Sequence, residues 1–267
     1  FALRILKRGA RSTGELLDEL QWVAALHAED LPVSEWLPTR SGACGCIVQA
    51  PEGDRFACLY RWIPGRTLAA PLTPLDAHAA GELAARLHLA VAQLPPHARQ
   101  HSLAAKLERT AAALDAALES AAERALLAAA RAQLRELPAL ERSLPQGSLH
   151  GDLHFGNLRR GDDARLYLLD FDDCGRGALA IELVAFDWRC DCEGLPPELK
   201  RRFRGGYESL RPLSAAEQSA LPVLALARAV YLAGVLARDR DILGRVPGFE
   251  RPWAHYVGLI ERCLAEL

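Results

Sequence analysis

Methionine is missing altogether from this 267-residue sequence, including from position 1. The expectation is that the natural start lies outside it, or that methionines have dropped out of it, in which case a spacing between motifs could hide positions. Also missing is any apolar run approaching the roughly 20 residues that span a bilayer. The first residues do not read as a secretory leader either. Neither sign of charge dominates: 32 Lys and Arg face 34 Asp and Glu, a net charge of −2. That balance removes a general attraction to nucleic acid or to an anionic membrane surface. No fixed period recurs, so a repeat array is excluded. What remains is a chain that is half hydrophobic and a quarter charged, the composition of an ordinary globular protein. The expectations are a cytoplasmic location and no nucleic-acid or membrane partner; the oligomeric state cannot be read.

Cysteine is present, but not in a pattern that builds a scaffold. Seven residues are an odd number, and without a secretory signal they read as reduced thiols. Cys44 and Cys46 form one Cys-x-Cys pair, and Cys190 and Cys192 another. Structural zinc sites favour two or more residues inside each pair, so small packing side chains are the better reading.

The informative stretch is Leu149-His150-Gly151-Asp152-Leu153-His154-Phe155-Gly156-Asn157, followed by Leu166-Tyr167-Leu168-Leu169-Asp170-Phe171-Asp172-Asp173. Asp152 and Asn157 have four residues between them, and Asp170 ends an apolar run that reads as a buried strand. Kinase catalytic loops use this spacing: an Asp for the attacking hydroxyl, an Asn that holds one magnesium, and a later Asp at a strand end that holds the metals. Phosphoryl transfer asks the protein for hard oxygen ligands, charge neutralisation at the phosphates and a carboxylate aimed at the nucleophile. Gly156 is expected to supply the tight turn that faces Asn157 back toward Asp170, and His150 to buttress the loop by hydrogen bonding.

These two segments resemble the aminoglycoside phosphotransferase and choline kinase superfamily. The ending Asp170-Phe171-Asp172-Asp173 is most similar to the branch containing stress response kinase A and the homoserine-kinase-like proteins. Gly151 and Asp172 depart from the His-Arg-Asp and Asp-Phe-Gly of protein kinases in the same direction. The resemblance implies a two-lobed, protein-kinase-like α+β fold, with a small strand-rich N-lobe over residues 1–63 and a helical C-lobe over 64–267. It also implies a phosphate-covering hairpin before Phe1.

It further implies ATP and Mg2+ as cofactors and a hydroxyl-bearing acceptor. Asp152 is then the catalytic residue, and Asn157 and Asp170 hold the metal. Asp172 assists on the metal or substrate side. Arg4 paired with Glu19 holds the phosphates, with Lys7 as the competing cation, and backbone groups of Arg61, Trp62 and Ile63 meet adenine. Glu182 or Asp187 is the carboxylate that braces the loop. The acceptor is a protein serine or threonine, toward which Asp172-Asp173 leans, or a small alcohol such as homoserine, choline or an aminoglycoside. A nucleotide-binding pseudokinase and a metal-dependent hydrolase built on Asp152 and His154 are the alternatives.

The rest of the chain reads as strands first and helices after, which also argues for α+β. Residues 1–6 are strand-like. Ser12 with Glu15 is a capping box opening a helix. Residues 43–49 and 55–62 flank a turn-forming Pro51-Glu52-Gly53-Asp54 and predict a hairpin. Thr73-Pro74 starts a helix to about residue 92, on which His88 reads as a packing residue. Residues 101–137 predict one long helix or two shorter ones. Further helices are expected from 181, 197, 214 and 251. Lys200, Arg201, Arg202 and Arg204 form a small basic cluster, read first as a solvated face, and 238–241 lie where the acceptor is met in the resembling family.

Overall fold

The structure, a computed structural model, describes residues 1–6, 12–68, 71–239 and 251–267. Its first sheet is organised by one long strand. β4 (Gly53–Tyr60) carries β1 (Ala2–Ile5), β2 (Trp36–Leu37) and β3 (Cys46–Ala50), all antiparallel. The β1–β4 register sets Arg4 opposite Cys58. Against this sheet lies α1 (Thr13–Ala28), whose capping box forms as expected. Ser12 N–H donates to the Glu15 carboxylate at 2.8 Å, and Glu15 N–H donates back to Ser12 Oγ at 3.2 Å. One face of α1 puts Leu16 and Leu20 against Leu6, Phe56 and Cys58 in a small core. The rest, Trp22, Val23 and Leu26, joins a much larger one.

After β4 the chain runs through Arg61–Pro64 into β5 (Gly65–Thr67), which pairs with β7 (Leu158–Gly161); β7 pairs in turn with β8 (Leu166–Leu168). β6 (Gln146–Leu149) pairs with β9 (Gly175–Ala178). These two short ribbons lie on the helical body made by α2 (Pro74–Val91), α3 (Leu103–Ala117), α4 (Ala121–Gln133), α5 (Leu137–Ser143), α6 (Ile181–Glu193), α7 (Pro197–Glu208), α8 (Ala215–Arg238) and α9 (Trp253–Ala265). Helices α2 and α7 cross at glycines. A Cβ on Gly81 would lie 1.9 Å from the Phe203 carbonyl, and one on Gly206 would lie 2.0 Å from that of His78. Any side chain there would push the two backbones apart.

The architecture is the expected α+β body with a small sheet-rich lobe and a larger helical one. The segment 101–137 resolves into α3 and α4, separated by a second capping box, Ser120 with Glu123, with α5 beginning at its end. One expectation fails. α8 is long and apolar enough by length and composition to cross a membrane, with a mean hydropathy of 1.9 over its most apolar 18 residues. The sequence reading missed it because the buried Arg228 interrupts the run. Most of that window is covered by the rest of the protein, with Leu224, Leu226 and Ala227 fully buried, which is the environment of a core helix. Lys7, Arg240 and Asp241 lie outside the described residues.

Candidate active site

The segment from β6 to β7 is folded around a buried carboxylate. Glu182, in the first turn of α6 and with no exposed surface, accepts backbone N–H bonds from His150 at 2.7 Å, Gly151 at 3.0 Å and Leu153 at 3.4 Å. His88 stands 3.6 Å away and is itself fixed by the Tyr207 hydroxyl at 2.7 Å. Burial alone would push the Glu182 carboxyl up, but His88, His150 and the loop N–H groups outweigh it and hold it below its ordinary value. Of the two candidate braces, Glu182 is therefore the one that touches the loop. Asp187, one and a half turns on, ion-pairs with Arg204 instead.

The tight turn falls at Gly151, not at Gly156. Gly151 has φ +83°, and a Cβ there would lie 2.3 Å from the Asp173 carbonyl and 2.8 Å from the His101 ring. Gly156 sits in the 3₁₀ turn Phe155–Asn157 without a left-handed backbone. His150 buttresses the loop as expected, linking its Nε2 to the Leu169 carbonyl at 2.8 Å and accepting from Asp152 N–H at 3.2 Å.

Asp152 is one-third exposed and heavily partnered. Its Oδ1 ion-pairs with the buried Arg228 of α8, and its Oδ2 stands 3.4 Å from both His154 Nε2 and Asn157 Nδ2. Burial opposes ionisation, yet His154 and Arg228 prevail, and the carboxyl is held far below the usual range. Asn157 Nδ2 also donates to the Asp152 carbonyl at 2.9 Å, which leaves the amide oxygen of Asn157 to face elsewhere. Leu169 N–H donates to the Asn157 carbonyl at 2.9 Å, so the strand end carrying Asp170 is tied to the same loop.

Asp170 adopts φ +59°, a left-handed backbone uncommon for a non-glycine residue and concentrated at functional sites. Its carboxyl is open to the cleft but withdrawn enough that desolvation, helped by the charge of Asp152, holds it above its ordinary value against Arg4 and His150. Asn157 and Asp152 thus lie within 3.4 Å of each other, and Asp170 follows a strand end tied to the Asn157 carbonyl. The Asp170 carboxylate and the Asn157 amide oxygen are hard donors of the kind magnesium takes.

The expected pair from the small lobe also forms. Arg4 Nη1 donates to Glu19 Oε1 at 2.7 Å and to the Tyr60 hydroxyl at 3.3 Å, with Glu19 buried. The second terminal nitrogen of Arg4 ion-pairs with Asp172. Asp172 thus meets Arg4. Beside it, Asp173 Oδ2 is 3.1 Å from the buried Lys106 ammonium, which lies 2.7 Å from His101 Nε2 and 5.2 Å from the centre of the Tyr231 ring.

At the connection between lobes, Arg61 N–H donates to the Glu35 carbonyl at 2.8 Å and its guanidinium pairs with the Glu35 carboxylate at 2.8 Å. The Ile63 carbonyl accepts from Arg159 Nε at 2.5 Å. Two of the backbone groups expected to meet a base already have partners in the protein. The basic cluster of α7 is largely paired: Lys200 with Asp191, Arg202 with Glu198 and Arg204 with Asp187.

Sequence reasoning missed Arg228, Lys106, His101 and Arg159. Arg228 left a signal, a lone cation in a nearly uncharged stretch of helix. Lys106 left none, because the alanine-rich helix around it carries charges on its solvated face too.

The small sheet-rich lobe, the larger helical lobe and the Glu182-braced loop that carries Asp152 and Asn157 are those of a kinase-like phosphotransferase. The sequence model of the Phosphotransferase enzyme family matches residues 1–220, and the chain belongs to that family. It is 34% identical to an uncharacterized protein of Deinococcus radiodurans over 93% of this chain and 75% of that one. It is 35% identical to a homoserine kinase of Rhodospirillum rubrum over 84% of this chain and 68% of that one. The solved structure of a microcompartment-associated aminopropanol kinase superposes with a TM-score of 0.79 at 25% identity, covering 99% of this chain and 86% of that one. The choline kinase LicA of Streptococcus pneumoniae shares the fold at a TM-score of 0.67 and 14% identity, with 99% and 85% covered.

Proposed function

We propose that this phosphotransferase moves the γ-phosphoryl group of ATP, carried with Mg2+, to the hydroxyl of a small amino alcohol. The observation that carries the reading is the placement of Asp152: one-third exposed, paired with Arg228, with Asn157 at 3.4 Å and the strand end of Asp170 hydrogen-bonded to the same loop. A carboxylate held so far below the usual range is a weak base. Its work is to accept and orient the acceptor hydroxyl, taking the proton late, as the P–O bond to the leaving group breaks.

Asn157 and Asp170 are the residues that would hold a divalent cation, which would supply positive charge to offset that of the phosphates. Arg4, locked by Glu19, faces the same cleft with a guanidinium fork suited to phosphate. From the sequence, Asp172-Asp173 leans toward a protein serine or threonine as acceptor. The names of the relatives, homoserine kinase and aminopropanol kinase, favour a small alcohol that also carries an amine. Asp173 supports that choice. It lies next to Gly151, and its side chain is 40% exposed with Lys106 on one oxygen, so the carboxylate has room for an ammonium group.

The test is labelled ATP with Mg2+ against a panel of homoserine, 1-amino-2-propanol, choline and serine-containing peptide. A small amino alcohol is expected to take the label, and Asp152→Asn to lower turnover on the order of 10²–10⁴-fold while nucleotide still binds. Labelling of the peptide alone would overturn the acceptor class. Nucleotide binding with no labelled acceptor would overturn the transfer itself.

A further inference from the structure

Lys106 is a cation in an unfavourable place. It lies one turn into α3, toward the end of a helix where the dipole disfavours positive charge, and it is buried. A buried ammonium persists only where partners surround it. Three do so here: the His101 ring at 2.7 Å, the Asp173 carboxylate at 3.1 Å and the Tyr231 ring at 5.2 Å from its centre. Burial and the charge of Lys106 hold the His101 imidazole well below its ordinary value, so its Nε2 accepts from the ammonium.

The backbone keeps this cluster in register. His101 N–H donates to the Arg176 carbonyl at 2.7 Å, and the Ser102 hydroxyl that opens α3 donates to the buried Glu141 at 2.7 Å. One turn beyond Lys106, α3 and α8 touch: a Cβ on Gly234 would lie 2.6 Å from the Thr110 Cβ. Gly234 is one turn beyond Tyr231, so the helices are locked where Lys106 meets the ring. Each helix then sets one buried cation against one carboxylate. Arg228 of α8 pairs with Asp152, and Lys106 of α3 pairs with Asp173. The two carboxylates are near enough to feel each other's charge.

Resting on the transfer to an amine-bearing alcohol read above, we infer that Lys106 is a positioning residue that sets which amines are accepted: Asp173 takes an ammonium that still carries an N–H, and quaternary ammonium groups are rejected. Lys106 occupies Oδ2 of Asp173, and among the described residues Oδ1 has no hydrogen-bond partner. An N–H of the acceptor can donate to that oxygen, and this charge-assisted bond offsets the repulsion from Lys106. A quaternary ammonium has no N–H, and its methyl groups hold its charge further from the carboxylate. Such groups are recognised by aromatic faces instead. The Tyr231 ring is already engaged by Lys106, whose charge repels a second cation there.

Phosphorylation kinetics with MgATP test this on ethanolamine, N-methylethanolamine, N,N-dimethylethanolamine and choline, and on homoserine beside its N,N,N-trimethyl derivative. In wild type kcat/KM should stay within about tenfold through the first three amines. It should then fall roughly 10–100-fold at the last methyl, where the N–H disappears. Asp173→Asn should erase most of that step by raising the KM of the N–H-bearing amines, with kcat and the KM for ATP little changed. Lys106→Met uncovers the ring and removes the repelling charge. It should raise kcat/KM for choline roughly tenfold, whereas Lys106→Arg, which keeps the charge, should retain the step.

A second readout needs no turnover: calorimetric titration of ethanolamine and choline into protein loaded with Mg2+ and a non-hydrolysable ATP analogue. If ethanolamine binds more tightly than choline and Asp173→Asn removes the difference while no acceptor is phosphorylated, selection by Lys106 and Asp173 stands and the transfer reading falls. If transfer proceeds but wild type uses choline within tenfold of ethanolamine, or activity declines evenly across the four amines, the selection is wrong. An unchanged step in Lys106→Met also overturns it. Should that variant fail to fold, Asp173→Asn decides on a partly exposed side chain, where an unchanged step has the same meaning.

Discussion

The floor and the roof of the cleft are built by different physics. On the floor, one buried carboxylate, Glu182, collects three peptide N–H groups, so the loop carrying Asp152 is fixed by its backbone. It stands on the large core of the helical lobe. On the roof, among the described residues, the separate core is five buried residues, Leu6, Leu16, Leu20, Phe56 and Cys58. Near the site Trp22 of α1 meets Phe171 edge-on, and long cationic side chains also cross from roof to floor: Arg4 reaching Asp172, and Arg159 reaching the carbonyls of Ile63 and Gly65. Backbone anchoring is lost only by local unfolding, whereas an arginine can swing. The floor should therefore answer mutation by losing stability, and the roof by losing affinity for nucleotide.

The strongest test is to remove the floor's anchor. Glu182→Ala leaves three loop N–H groups buried without an acceptor and removes the carboxylate 3.6 Å from His88. The expected cost is about 3–5 kcal/mol in chemical denaturation, the range for breaking a buried charged network. The same residue sets an acid limit. Its folded carboxyl lies below the ordinary 4.5, so its contribution is complete above that value and is lost as pH falls through and below it. Wild-type stability should drop on acidification below about pH 4.5, and the drop should be shallower in Glu182→Gln. A loss for Glu182→Ala under about 1 kcal/mol would mean that the loop finds other acceptors and that floor and roof do not differ in this way.

This contrast also explains what was legible in the sequence. The floor was readable because catalysis constrains both residue type and spacing, so Asp152, Asn157 and Asp170 appear at fixed intervals. The brace was not assignable, because Glu182 and Asp187 are both acids on α6 and only the position of β6 beneath the first turn chooses between them. The sequence points to Gly156 for the turn rather than Gly151 for a related reason. Both glycines fit a tight loop, and the choice depends on the Asp173 carbonyl and the His101 ring, which arrive from distant parts of the chain. Arg4 and Glu19 could be named because a strand cation and a helix acid fit the resembling pattern. Arg228 and Lys106 come from the long helices α8 and α3, where periodicity records burial but not which charge faces a neighbour. Short strands such as β5, β6 and β9 exist through pairing with partners far away in sequence, and a window of three or four residues carries too little pattern to reveal them.

On the roof, Arg4→Lys keeps the charge beside Glu19 and removes the fork that spans Glu19 and Asp172. Stability should change by no more than about 1 kcal/mol, because the buried Glu19 retains a cation. The KM for ATP should rise several-fold to tenfold, and the KM for the acceptor should stay. Parallel melting curves and two-substrate kinetics measure this. A fall in stability as large as that of Glu182→Ala would show that the roof is anchored as firmly as the floor.

The smallest effect on the fold is expected where the two regions touch. Asp172 is 53% exposed, and ion pairs of such groups contribute about 0–1 kcal/mol. Asp172→Asn should therefore leave denaturation within that range and remove most of its dependence on salt at this contact. Its nucleotide affinity tells more. With Asp172 neutral, the second nitrogen of Arg4 no longer has a competing carboxylate, so MgATP should bind equally well or tighter. Looser binding, by contrast, would assign Asp172 to the metal side of the complex, the role first read from its place after Asp170.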